Sequence, residues 1–274
     1  MSSNQSIAID VLLAEFVLPD ELREIHRMAH DGHYAAIDIA RAIGKVPALS
    51  QKLLGMINSN LYHYQSPIST IERAIAILGV EEIESLLLLI FVVSLSEENI
   101  VGHVDLTDFW RNSVYCGVIA RLIAKKNGGI HSENLFVMGC LHNVGSLLIS
   151  KLMLDVSNGS PIVSDLTFAA AGADLLKSWG VSEAFYFPIE HQLNPKSVGL
   201  HSLDTCILHI SVIFSSIADP YVQTESSLWQ LIPIEYQSIL NMDKSCLFSV
   251  LVQAQNDWQQ VFELLMLDSS FVDF

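Results

Sequence analysis

The chain has 274 residues, 51% of them hydrophobic and only 16% charged, with 30 acidic side chains against 14 basic ones and a formal net charge of -16. That composition excludes a disordered chain and allows a large core, in one domain or in two helical subdomains sharing it. A field of this sign repels nucleic acid and anionic membrane surfaces, so neither is expected as a partner, and its plain role is solvation.

Cys116, Cys140, Cys206 and Cys246 are far apart and form no C-x-x-C pair. A disulfide scaffold and a cysteine-rich zinc site are therefore not indicated, and buried thiols in a reducing compartment are the simplest account. Met1 to Phe16 lacks the basic start and small-residue cleavage site of a signal peptide, so a cytoplasmic location is expected.

Glycine and proline fall between periodic segments, which predicts helix after helix and an all-α fold. Pro19-Asp20 opens a helix through Met28, with Leu22, Ile25 and Met28 at helical spacing, and Asp31-Gly32 ends it. Ala35–Ile43 and Pro47–Ile57 follow as short amphipathic helices. Asn58 to Pro67 is a polar, aromatic loop holding Tyr62, His63 and Tyr64, and Ser69 with Glu72 forms a capping box for a helix running to Gly79.

The run LLLLIFVVSL from Leu86 to Leu95 is too short for a membrane span, which needs about 20 apolar residues. It is expected as part of a helix, Glu81–Leu95, buried on all sides. Asp105 to Asp108 opens a helix reaching Asn127, where Gly128-Gly129 stops it. Ser132 caps a helix through Leu152 that carries His142, Asn143 and Gly145 in its middle. After a loop at Asn158–Asp165, helices are expected over Leu166–Trp179, Ser182–Gln192, Leu203–Ile217 and about Lys244–Leu267. No segment shows sustained period-two alternation, and no repeat recurs at fixed spacing.

The histidines hold most of the chemical information. His142-Asn143 is polar within a segment where Leu135, Met138, Leu141, Val144, Leu147 and Leu148 face a core, so the pair implies a local polar network. Glu190-His191-Gln192 ends a helix, where a histidine is also favoured electrostatically. His26 and His30 share a helix face at a spacing that could hold a metal, with His33 nearby, but no acid at the matching turn completes the shell. There is no G-x-S-x-G, no phosphate-cradling glycine loop and no H-E-x-x-H.

Asn58-Ser-Asn-Leu-Tyr62 followed by Pro67-Ile-Ser-Thr-Ile-Glu-Arg-Ala-Ile-Ala-Ile-Leu-Gly79 resembles the hallmark of HDOD (HD-related output) domains. Phe109-Trp110-Arg111-Asn112-Ser113, Gly139 to Leu148 and Gly172 to Pro195 follow in the family's order, and the resemblance covers roughly Leu18 to Ala218. It implies a two-lobed helical bundle, with an N-terminal lobe over 18–100 after an extension at 1–17. A lobe like that of HD-type metal phosphohydrolases would occupy 101–219, with a helical tail at 220–274 packed on the same domain.

Catalytic HD proteins supply a histidine, a His-Asp doublet and a later aspartate to divalent metal, which lowers the pKa of a bound water. Here the resemblance places Asn112 at the early histidine, keeps His142 but replaces the adjacent aspartate by Asn143, and puts Val212 at the late aspartate. Phe168 stands where a histidine is often seen, and a His-His pair survives only as His191-Gln192. Asparagine offers a neutral carbonyl where a hard cation prefers carboxylate, and valine offers nothing.

The expectation is a non-catalytic bacterial signal-transduction module with no cofactor or metal, acting on another signalling protein. The remnant of Asn112, His142, Asn143 and His191 is then either a satisfied network, the commoner arrangement, or a small-molecule pocket. The alternative is a divergent phosphohydrolase acting on a phosphoester or nucleotide, its divalent metal held by His142, His191, His209 and Glu190. Only six arginines exist, and only Arg111 lies near these motifs to hold a phosphate. A third reading is an interaction protein acting through Tyr62, His63 and Tyr64.

Overall fold

Short polar side chains set several helix starts. The Asp105 carboxylate accepts the Asp108 amide at 3.1 Å, the Thr70 hydroxyl the Arg73 amide at 3.2 Å, and the Thr167 hydroxyl the Ala170 amide at 3.2 Å. Each satisfies a donor that a helix leaves unpaired in its first turn. The computed structural model describes residues 13, 16–62, 64–99, 104–129, 131–156, 167–195, 202–217 and 223–266, and all regular structure among them is helical. In chain order these helices are α1 (Asp20–Asp31), α2 (Ala36–Gly44), α3 (Pro47–Ile57), α4 (Ile71–Leu78) and α5 (Val80–Asn99). They continue with α6 (Leu106–Lys126), α7 (Ser132–Leu141), α8 (Val144–Val156), α9 (Phe168–Ser178), α10 (Glu183–His191) and α11 (Ser202–Ser215), then α12 (Glu225–Gln230), α13 (Ile234–Gln237) and α14 (Lys244–Met266).

The chain divides into two compact units. One comprises residues 18–99 with 257–274, the other residues 1–17 with 100–256. The long C-terminal helix α14 contributes residues to each.

In the first unit, α1 buries Leu22, Ile25 and Met28, the residues whose spacing marked it, and Gly32 closes it in the left-handed conformation at φ 69°. α5 is a core helix, with Leu86, Leu87, Leu89 and Ile90 at 1% exposure or less. No described helix is long and apolar enough to cross a membrane. One expectation needs adjustment here. The cap of α4 is Thr70, not Ser69. The loop before α4 is held from within by Asn58, whose amide nitrogen donates to the carbonyls of Leu54 and Ile68, each at 2.8 Å. The Asn58 oxygen in turn accepts the Ile68 amide at 2.7 Å. One side chain thus pairs with both backbone groups of a residue ten positions away, as a strand neighbour would. Tyr62 is buried and stacks on the more exposed Tyr64 at 5.9 Å between ring centres, an arrangement suited to stapling the loop; His63 lies outside the described residues.

In the second unit, α6 and α7 cross at two glycines. A methyl group at Gly139 would lie 2.6 Å from the Gly117 Cα, and one at Gly117 would lie 2.5 Å from the Phe136 carbonyl oxygen. The same pair of helices is joined by a buried ion pair, Arg121 Nε to Glu133 Oε2 at 2.8 Å. Cys116 and Cys140 flank this crossing as free, buried thiols whose pKa values burial pushes up, and burial pushes Cys206 up to about 11. A second close approach joins α8 to α9, where a methyl at Gly145 would run into the Phe168 carbonyl and stand 2.5 Å from the Gly172 nitrogen.

The segment Ser132–Leu152 is not one helix. It breaks at His142 and Asn143 into α7 and α8 because Gly139 and Gly145 on either side pack against different partner helices. The residue before α7 is His131, in a left-handed conformation at φ 59°, and Ser132 is the first helical residue rather than a cap; its hydroxyl donates to Glu133. The expected loop at Asn158–Asp165 lies outside the described residues.

Replacing Gly145 by alanine forces backbone apart at α8 and α9. We expect Gly145→Ala to lower stability by about 2 kcal/mol or more in urea unfolding. Gly44→Ala, at the end of α2 with open space around it, should be neutral or stabilising by about 0.5 kcal/mol. Equal effects at the two positions would contradict the glycine crossing.

Candidate functional site

The polar residues of the second unit gather on α6, the α7–α8 break, the end of α10, and α11. The break itself creates the main feature. In a continuous helix the His142 carbonyl would accept the amide of Ser146; instead that amide bonds to the Asn143 carbonyl at 2.9 Å. The freed His142 carbonyl accepts from Gln192 Nε2 at 2.6 Å, and the same nitrogen donates to the Ile189 carbonyl at 2.9 Å. With both amide hydrogens used, Gln192 Oε1 is left buried without a hydrogen-bond partner among the described residues. The Gln192 backbone carbonyl accepts from His209 Nδ1 at 2.6 Å. A chain of bonds therefore runs from the α7–α8 break through the end of α10 to α11.

His142 is 4% exposed, and its Nδ1 donates to the Gly139 carbonyl at 2.7 Å. That bond selects the tautomer with a proton on Nδ1. Burial pushes its pKa down to about 4, against the smaller opposing effect of the Gly139 bond.

Asn112, at the position the resemblance gives to the first histidine, is exposed near the start of α6. Its Nδ2 donates to the Ser215 carbonyl at 3.2 Å, and its oxygen accepts the Ser215 hydroxyl at 3.4 Å, tying α6 to the end of α11. Val212, half-buried in the last turn of α11, offers its carbonyl to the Ser215 hydroxyl at 3.0 Å. His191 donates to the Phe187 carbonyl at 3.0 Å and stacks on the Phe187 ring at 4.0 Å. Asn143 is half-buried in the turn. Glu190 faces Lys177, Nζ to Oε2 2.8 Å, which neutralises it. Of the five positions singled out in the sequence, Asn112 and the Val212 carbonyl thus meet at Ser215, His142 joins the chain through Gln192 to His209, and His191 and Asn143 bond within their own segments. Among the described residues no hydrogen bond joins the two sets, and in this unit no three His, Cys, Asp or Glu side chains bring ligand atoms within 4.8 Å of one another.

Two participants were not picked out from the sequence. Ser215 carries no signal of its own there. Gln192 was seen only as a lost histidine, and its role depends on the helix break, which periodicity does not reveal.

The pKa of His142 has a defined consequence for stability. In the unfolded chain this histidine takes up a proton below its ordinary value of 6.5, while the folded protein resists protonation until about 4. The unfolded state binds more protons across that window, so stability is complete above pH 6.5 and falls as pH drops toward 4, by up to about 3 kcal/mol from this group. At pH 6 nuclear magnetic resonance of labelled imidazoles should show His142 neutral and protonated on Nδ1. An imidazolium there at pH 6 would contradict the assignment.

Comparison with known proteins agrees with this architecture. No curated protein matches the sequence. Among solved structures, a candidate phosphohydrolase of Shewanella amazonensis SB2B superposes with a TM-score of 0.71 at 23% identity, covering 94% of this chain and 98% of that one. An HDOD domain protein of unknown function from Geobacter sulfurreducens gives 0.68 at 19% identity, with 94% and 98% covered. A protein of Marinobacter aquaeolei VT8 described as a candidate signal transduction protein gives 0.61 at 14% identity, covering 99% of this chain and 66% of that one. These similarities establish a shared helical fold. The HDOD domain family's own sequence pattern matches residues 16–160, more than half of the chain, and the protein belongs to the HDOD family.

Proposed function

We propose that this HDOD protein is a non-catalytic signal-transduction module whose HD-derived site serves as internal structure. The observation that carries the reading is the use of the HD positions as packing and hydrogen-bonding groups. Asn112 secures the end of α11, and the backbone of His142 is clamped by Gln192. An HD hydrolase needs clustered anionic and imidazole ligands to bind metal and lower the pKa of its water. Here Asn112 is turned to Ser215, His209 donates to a backbone carbonyl, and Glu190 is paired with Lys177. A likeness of fold to a candidate signal transduction protein is consistent with this role, and the partner we propose is another signalling protein, not nucleic acid or membrane.

The test is hydrolysis of bis(p-nitrophenyl) phosphate and of common nucleotides with manganese, iron or zinc, alongside metal retained after desalting, in wild type and His142→Ala. We expect no hydrolysis above buffer and retained metal that is insensitive to His142→Ala. Turnover abolished by His142→Ala would establish the divergent phosphohydrolase instead.

A further inference from the structure

We propose that His26, His30 and Glu84 form a binding site for a divalent transition-metal ion, zinc being the best matched, in the unit built from residues 18–99 and 257–274. The two histidines stand one turn apart on α1, so their side chains share a face. The acid that the local sequence lacks comes from α5, far along the chain. His26 Nδ1 hydrogen-bonds the Glu84 carboxylate; His30 Nδ1 donates to the His26 carbonyl at 3.0 Å, which leaves the lone pair on its Nε2, and lies 3.8 Å from the other Glu84 oxygen. Ligand atoms of all three residues lie within 4.8 Å of one another, and theirs is the only such group of three His, Cys, Asp or Glu side chains among the described residues. The imidazole rings are 4.5 Å apart. His33, the third histidine of the sequence cluster, turns away to the Asp31 carboxylate at 2.7 Å.

Three features favour an ion over a simple ion pair. Glu84 is only 21% exposed, yet among the described residues its ion-pair partners are the two imidazoles alone, with no lysine or arginine. At neutral pH a permanent cation there would compensate the half-buried carboxylate. Two imidazoles and one carboxylate match zinc, cobalt or nickel better than magnesium or calcium, which prefer oxygen ligands. His30 is 53% exposed, which opens the site to solvent and leaves room for water in the remaining coordination positions. Because α1 and α5 pack together, the ion would cross-link the first and last helices of the N-terminal bundle.

The test uses the full chain, tag-free and stripped of metal, titrated with zinc and with cobalt at pH 7.5 in a non-coordinating buffer. Calorimetry should give one ion per chain, and cobalt should develop visible ligand-field absorption. Zinc at about 100 times Kd should raise the thermal midpoint by roughly 5 °C. His30→Ala removes an exposed ligand, and Glu84→Gln preserves shape while removing the charge. Each should weaken binding by at least about tenfold while leaving the metal-free thermal midpoint close to wild type. His142→Ala should leave the zinc affinity unchanged. Failure to bind either metal, or binding that His30→Ala and Glu84→Gln do not alter, would overturn the proposal, as would an ion lost only on His142→Ala.

Discussion

Close approach of helix backbones at paired glycines is the constraint on which the unit of residues 1–17 and 100–256 depends. Gly117 meets Gly139 where α6 crosses α7, and Gly145 meets Gly172 where α8 crosses α9. Neither crossing has room for a side chain. Between the two contacts the chain must leave one partner helix and join another, and His142 and Asn143 form the turn where it does so. The hydrogen bonds around His142 follow from that turn. It frees the His142 carbonyl, which recruits Gln192, and Gln192 in turn presents its own carbonyl to His209. His142, Gln192 and His209 are thereby tied into hydrogen bonds between helices.

Burial then determines the charge states around that frame. Arg121 and Glu133 are almost fully removed from water but face one another at 2.8 Å, so each supplies the other's compensation. His142 has no such partner and stays neutral, its proton fixed on Nδ1 by Gly139. The contrast with His26 is instructive. There a carboxylate lies beside the ring and raises its affinity for protons. Burial without a charged partner decides the state of His142, and the Glu84 carboxylate decides that of His26.

Much of the fold was legible because helices write their periodicity and their ends into sequence. The spacing of Leu22, Ile25 and Met28 marked the buried face of α1, and Asp105 caps α6 as its sequence position suggested. The order of the HDOD motifs pointed to the family that the sequence pattern confirms. The break in Ser132–Leu152 was not legible, because apolar periodicity continues through His142 and only the tertiary position of Gly145 against Gly172 requires a turn. Choosing Ser69 over Thr70 was a one-residue ambiguity between adjacent hydroxyls, decided by which one reaches the amide of the third helical residue. Glu84 was invisible as a partner for His26 and His30 for a more basic reason. A side chain 54 or more positions away can be placed beside a histidine only once the packing of α1 on α5 is known.

The N-terminal unit is completed by residues from the other end of the chain. The backbone amide of Asn60 is satisfied by Gln260 Oε1 at 2.8 Å, Leu264 lies beside Gly55, and Val261 and Leu265 are buried. During synthesis at about 5–20 residues per second, the 200 residues between Asn60 and Gln260 take on the order of ten to forty seconds to appear. For that interval the nascent bundle has the α3 surface uncovered and its closing helix not yet made. The segment holding Gln260 and Leu264 therefore acts as a latch on a lobe whose other residues are made well before it.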